Sequence, residues 1–138
     1  MEIIKKFRSF AEKEEITPIF KELIDQAVAL LITNFEDKEQ LKQQYSNLVI
    51  KEVVFTGTGF YCNFEPKTKC DPSVIYHETF GDVFGTINDE PIGFIMYFDN
   101  GKYISSLECY ADYIENLNSR MKWDCIREIL SFDIHKEK

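Results

Sequence analysis

The sequence has little of what usually announces chemistry. It holds two histidines, and no His-x-x-x-His pair, so the helical spacing that brings two imidazoles to one metal is missing. His77 has Glu78 beside it and Asp71 and Asp82 nearby, but adjacent residues of an extended chain point to opposite sides. His135 lies in what reads as a frayed tail. No metal and no cofactor are expected. The four cysteines, Cys62, Cys70, Cys109 and Cys125, form no Cys-x-x-Cys pair. Cys62 and Cys109 fall on predicted strands, without the basic neighbours that activate a thiol, and read as buried free thiols in a reducing compartment. No serine stands in a nucleophile elbow. Gly57-Thr58-Gly59 leads into a strand and not a helix, which excludes a phosphate cradle. Catalysis is therefore not expected; the one candidate base for a hydrolase is His77, with Asp82 or Glu78.

Long apolar runs are lacking too. The longest, Ala27–Ile32, is far short of a bilayer span. The first fifteen residues carry charges every few positions, which does not make a secretory signal. The expectation is a cytoplasmic protein with no membrane contact, one domain over 1–138, helical over about 1–46 and β-rich over about 47–138.

Basic residues are scarcest in one window. Between Asp71 and Glu115 stand nine acids (Asp71, Glu78, Asp82, Asp89, Glu90, Asp99, Glu108, Asp112 and Glu115) against Lys102 alone, which accounts for the whole net charge of −8. Nucleic acid is disfavoured as a partner. Such a window is either a solvated surface or a docking face for a basic partner, whose approach it would speed.

What the chain does have is a hairpin. In Ile92–Cys109, Asn100-Gly101 separates two alternating apolar runs, the pairing expected of a type I′ turn. A two-residue turn sets Asp99 opposite Lys102, Phe98 opposite Tyr103, Met96 opposite Ser105 and Phe94 opposite Leu107. Ile92, Phe94, Met96, Phe98, Tyr103, Ser105, Leu107 and Cys109 then form the core face. Upstream, the spacing predicts an amphipathic helix over 2–15. A buried helix over 18–33 follows, capped by Thr17 and opened by Pro18. A polar helix over 36–46 is anchored by Leu41 and Tyr45. Strands are predicted over 48–56, 60–65 (Phe60, Cys62 and Phe64 on one side) and 82–87. A loop spans 66–80. A loop or short helix is expected near 112–122 and a last strand near 126–134. Helices followed by hairpin-linked strands give an α+β fold, with N-terminal helices on one antiparallel sheet of about five to six strands around the central hairpin.

Two segments, VVFTGTGFYCNFE (53–65) and GDVFGTINDEPIGFIMYFDNGKYISSLECY (81–110), carry a likeness. An apolar strand enters Thr-Gly-x-Gly-Phe-aromatic, and a Gly-rich hairpin ends in Ser-x-Leu-Glu-x-Tyr. This resembles small bacterial immunity proteins that neutralise polymorphic or contact-dependent growth-inhibition toxins. The two segments cover about three tenths of the chain. The likeness departs at the tail, where Trp123-Asp124 stands in place of the usual Trp-Pro.

The resemblance implies a partner, the C-terminal domain of a cognate toxin, and an activity, inhibition by occlusion. Many such toxins are nucleases with basic clefts. The acidic window and two aromatics then make up the expected partner-binding set: Asp82, Asp89, Glu90, Tyr97, Asp99, Glu108, Tyr110, Asp112 and Glu115. A monomer is favoured. The alternative is a small-ligand or regulatory module with an aromatic pocket.

Overall fold

The computed structural model describes residues 8–9, 16–69, 71–73, 75–111 and 125–137. Seven strands form one antiparallel sheet: β1 (Arg8–Ser9), β2 (Leu48–Phe55), β3 (Gly59–Pro66), β4 (Phe80–Ile87), β5 (Glu90–Asp99), β6 (Tyr103–Ala111) and β7 (Phe132–Lys136). Their spatial order is β1-β2-β3-β6-β5-β4-β7, so the expected hairpin, β5–β6, stands near the middle. Two helices, α1 (Pro18–Ile32) and α2 (Lys38–Ser46), follow β1 and pack on one face. The fold is α+β.

Local signals set α1. Thr17 accepts a hydrogen bond from the Phe20 amide, Pro18 opens the first turn, and Phe20, Leu23, Ile24, Ala27, Val28, Leu31 and Ile32 are buried along one broad stripe. Onto that stripe the sheet presents Val53 and Phe55, Phe60 and Cys62, Val83 and Ile87, Ile92, Phe94 and Met96, and Leu107 and Cys109. The buried thiols of Cys62 and Cys109 are free, as expected, and burial pushes both pKa values up.

Three one-residue irregularities interrupt the alternation. In β2 the pairing steps from Ile50↔Phe64 to Glu52↔Asn63, leaving Lys51 extra; this moves the core phase from Leu48 and Ile50 to Val53 and Phe55. In β4 a second step lies between Phe80 and Val83, where Gly81 runs so close to the Phe94 carbonyl that a side chain there would collide with it. In β6, Tyr97 pairs with Ser106 but Phe98 pairs with Ile104, so Ser105 is the bulged residue, and its hydroxyl donates to the Tyr97 carbonyl.

The observed register departs from the predicted one in two steps: at the turn Asp99 faces Tyr103 in place of Lys102, and the bulge adds a second residue, so that Met96 faces Leu107 and Phe94 faces Cys109. The turn itself has the expected chemistry, with positive φ at Asn100 (53°) and Gly101 (70°) and the Lys102 amide donating to Asp99 at 2.9 Å. Since a bulge shifts the side-chain phase by one residue, Ile104 is buried where Tyr103 was expected to be.

Elsewhere three expectations change. Arg8 and Ser9 pair with Phe55 and Val54 as a strand, within the span predicted helical; the rest of 2–15 lies outside the described residues, as does 112–124. The tail carries a short 3-10 turn (Ile126–Glu128) before β7, which extends to Lys136 and includes His135. The polar helix begins at Lys38, and its deepest polar residue is Gln44, 4% exposed.

Gln44 bonds the backbone next to the Ser105 bulge. Its Oε1 accepts from the buried Ile104 amide at 2.7 Å, and its Nε2 donates to the carbonyls of Lys102 (3.1 Å) and Asp71 (3.3 Å). A buried backbone group with no partner costs about 1–3 kcal/mol, so one side chain on α2 fixes the hairpin tip. Gln44→Leu keeps the volume and removes all three bonds. It is expected to lower unfolding free energy by about 1–3 kcal/mol in urea titration; an unchanged midpoint would show that the tip is held by something else.

Candidate functional site

The loop over 66–80 has no periodicity, yet it is laid down in order on the hairpin tip. The Ser73 amide donates to Lys102 (2.9 Å) and the His77 amide to Gly101 (2.8 Å), while the Asp71 carbonyl receives Gln44. Tyr76, between them, places its ring against Gly101, in the space a side chain there would need. Glycine is thus required twice at 101, for its positive φ and for this contact.

Below the tip lies a buried polar lock. His77, 5% exposed, is flanked by Phe35 (ring centroids 4.5 Å apart) and Phe98 (4.9 Å). Its Nε2 lies 3.1 Å from Asp37 Oδ2 and 3.0 Å from the Ser73 hydroxyl, which itself donates to Asp37. Asp37 occupies the N-cap position of α2 but makes no side-chain cap bond. Its carboxylate turns to the loop instead, with Oδ1 buried and unpartnered among the described residues. Burial alone would raise its pKa; the hydrogen bonds from Ser73 and His77, with the charge of His77, outweigh that and lower it.

Serine, histidine and aspartate are all present, but not as a relay. A catalytic imidazole joins nucleophile and carboxylate through its two different nitrogens, whereas here both partners meet Nε2 in a buried place. The partners of His77 are Asp37 and Ser73, not Asp82 or Glu78. Among the described residues no three His, Cys, Asp or Glu side chains converge as a metal site, and no helix is long and apolar enough to cross a membrane.

The locked tip presents Tyr76, 64% exposed, with Asp71, Glu78 and Asp99 exposed on the backbone segments around it. Of the expected partner-binding residues only Asp99 belongs to this group. Asp89 is exposed at the far end of β5, in the two-residue turn Asn88-Asp89 (φ 52° and 68°), and Glu90 follows it, half-buried. A ten-residue strand spans roughly 30 Å at about 3.3 Å per residue, so Glu90 and Asp99 cannot share one patch. Asp82 is half-buried at the start of β4, where Asn34 donates to it at 3.2 Å. Asp112 and Glu115 lie outside the described residues.

Glu108, Tyr97 and Tyr110 occupy the sheet face away from the helices, all half-buried. Tyr97 donates to Glu108 at 2.6 Å and packs 6.3 Å from Tyr61. Burial first, and then Glu108, push both phenol pKa values up. Glu108 stands opposite Ile95; the residue opposite Gly93 is Tyr110, whose ring covers the glycine. These side chains bind the sheet to itself.

A groove of about 630 Å³ lies elsewhere, between the start of α1 and β2–β3, with Ile16, Pro18, Leu48 and Phe64 in its walls. Its polar groups bond one another: Asp25 takes Lys21 at 2.9 Å and the Tyr45 hydroxyl at 2.7 Å.

Sequence reasoning missed Asp37, Gln44, Ser73 and Tyr76. Gln44 looks like any residue of a polar helix, and Asp37 is forty positions from its histidine. Tyr76 left one signal, a large aromatic in an aperiodic loop, where binding residues concentrate. Comparison with protein-family models, curated proteins and solved structures found no match.

The lock has a consequence in acid. A carboxylate whose folded pKa is lowered adds stability that is complete above its ordinary value of 3.8 and is lost as pH falls through the lower folded value. Urea midpoints measured from pH 6 downward should fall more steeply below about pH 4 in the native protein than in Asp37→Asn. Parallel curves would mean that Asp37 is not held ionised by the lock.

Proposed function

We propose that the protein is a cytoplasmic immunity protein that binds the C-terminal domain of a cognate toxin and covers a basic cleft, as a nuclease would present. The observation that carries this reading is Tyr76, exposed at the hairpin tip and held against Gly101, with Asp71, Glu78 and Asp99 exposed on the loop and hairpin segments that meet there. Binding energy at protein interfaces concentrates in a few aromatic anchors, and acidic surroundings steer a basic partner toward them. Because Gln44 and the His77 lock already order the tip, little conformational freedom remains to be lost on association.

In this reading Asp99 keeps the role expected of it, and Tyr76 takes the anchoring role expected of Tyr97 and Tyr110. Asp82, Asp89, Glu90, Glu108, Asp112 and Glu115 add to the long-range field, which suits a basic protein surface and disfavours nucleic acid. Small-ligand binding has the 630 Å³ groove in its favour, but the groove's polar groups are already paired, which favours the protein-binding reading.

Where a neighbouring gene encodes a toxin, the C-terminal domain of that toxin is the partner for the test. Tyr76→Ala should weaken binding at least about 30-fold, the scale of an interface hot spot, and reduce protection of cells expressing the toxin. Asp99→Lys should mainly slow association and flatten its salt dependence. A toxin domain that binds both variants as tightly as the native protein would contradict the proposal.

A further inference from the structure

β7 is the last strand of the sheet, and among the described residues none lies beyond it. Its hydrogen-bond phase is fixed at both ends. The Asn88 amide donates to the Ser131 carbonyl and the Glu137 amide to the Asp82 carbonyl, with an unbroken register between, from Ile87↔Phe132 to Val83↔Lys136. In an antiparallel ladder alternate residues exchange bonds with a given neighbour. Asp133 and His135 therefore bond β4, and Phe132, Ile134 and Lys136 direct their amides and carbonyls away from the sheet. The side chains follow the same alternation: Phe132 and Ile134 pack on the core and Lys136 reaches Thr33 at 3.0 Å, while Asp133 and His135 are exposed on the other face.

An edge strand with no neighbour among the described residues is a template for another strand. The sequence Phe-Asp-Ile-His-Lys is complementary to itself when reversed. With a two-fold axis at Ile134, Ile134 meets Ile134 of a second copy in a hydrogen-bonded pair, and Phe132 meets Lys136 in both directions. Asp133 then falls opposite His135 at the closer, non-hydrogen-bonded spacing. The imidazole can donate an N–H to the carboxylate in either protonation state, and opposite-charge pairs across strands are favourable. The apolar side of the same strand is already seated on the core.

From this phase and this complementarity we propose that β7 is a self-association edge: a second copy adds its own β7 antiparallel, with Ile134 on the axis and reciprocal Asp133–His135 pairs. The proposal is independent of the toxin-binding tip and runs against the expectation of a monomer.

Sedimentation over about 1 µM to 1 mM, the range in which a weak interface becomes populated, tests it with hydrogen exchange as a second readout. The native chain should dimerise with rising concentration. The amides of Phe132, Ile134 and Lys136 should gain protection as it does so, while those of Asp133 and His135 are protected throughout. Asp133→Lys and His135→Glu each remove the cross-strand pair at an exposed position and should give monomers. The double variant exchanges the charges and should dimerise again. A native chain that stays monomeric over the whole range, or single variants that dimerise as it does, would overturn the proposal.

Discussion

The hairpin tip depends on where the Ile104 amide finds its hydrogen bond. Ile104, next to the bulge at Ser105, is buried, and a buried N–H must be paired or the tip is not stable. Gln44 supplies the carbonyl, and the same amide group ties down Lys102 and Asp71. One side chain thereby positions α2 over β6 and brings the loop after β3 back onto the hairpin. Hydrophobic burial supplies most of the stability of the sheet and α1, but it is non-directional. The polar contacts decide where the tip sits.

The second lock extends that order outward. His77, Ser73 and Asp37 join the loop to the start of α2 beneath the rings of Phe35 and Phe98. Their arrangement costs Asp37 its capping role and leaves one carboxylate oxygen buried without a partner among the described residues, so α2 gives up some local stability in exchange for a fixed loop. What that loop displays is Tyr76, exposed against Gly101. On the opposite side of the chemistry, Tyr97, Glu108, Tyr61 and Tyr110 are engaged with one another and with Gly93, and they serve the sheet.

Much of the fold was legible because its signals are local. Thr17-Pro18 marks the start of α1, alternation marks β3, and Asn100-Gly101 marks the hairpin. The exact register was not legible, since the single extra residues at Lys51 and Ser105 carry no mark in the sequence; Gly81, at the third irregularity, is the exception. Arg8–Ser9 joins the sheet although its surroundings have helical spacing, a case of tertiary pairing overriding local pattern. The candidate site was legible only in part. Charge counting took in Asp71, Glu78 and Asp99, but only Asp99 entered the expected partner-binding set, and that set treated the ends of one strand as a single face. It could not find Asp37 or Gln44, whose partners are distant in sequence and whose polarity suggests a solvated surface.

Exchange of the Ile104 and His77 amides with deuterated solvent is the most direct measure of whether polar locks hold the tip. If they do, both amides open only with the whole molecule and show the full free energy of unfolding, like the amides of central β5. Exchange of these two through a local opening, at a free energy well below that of β5, would contradict the account.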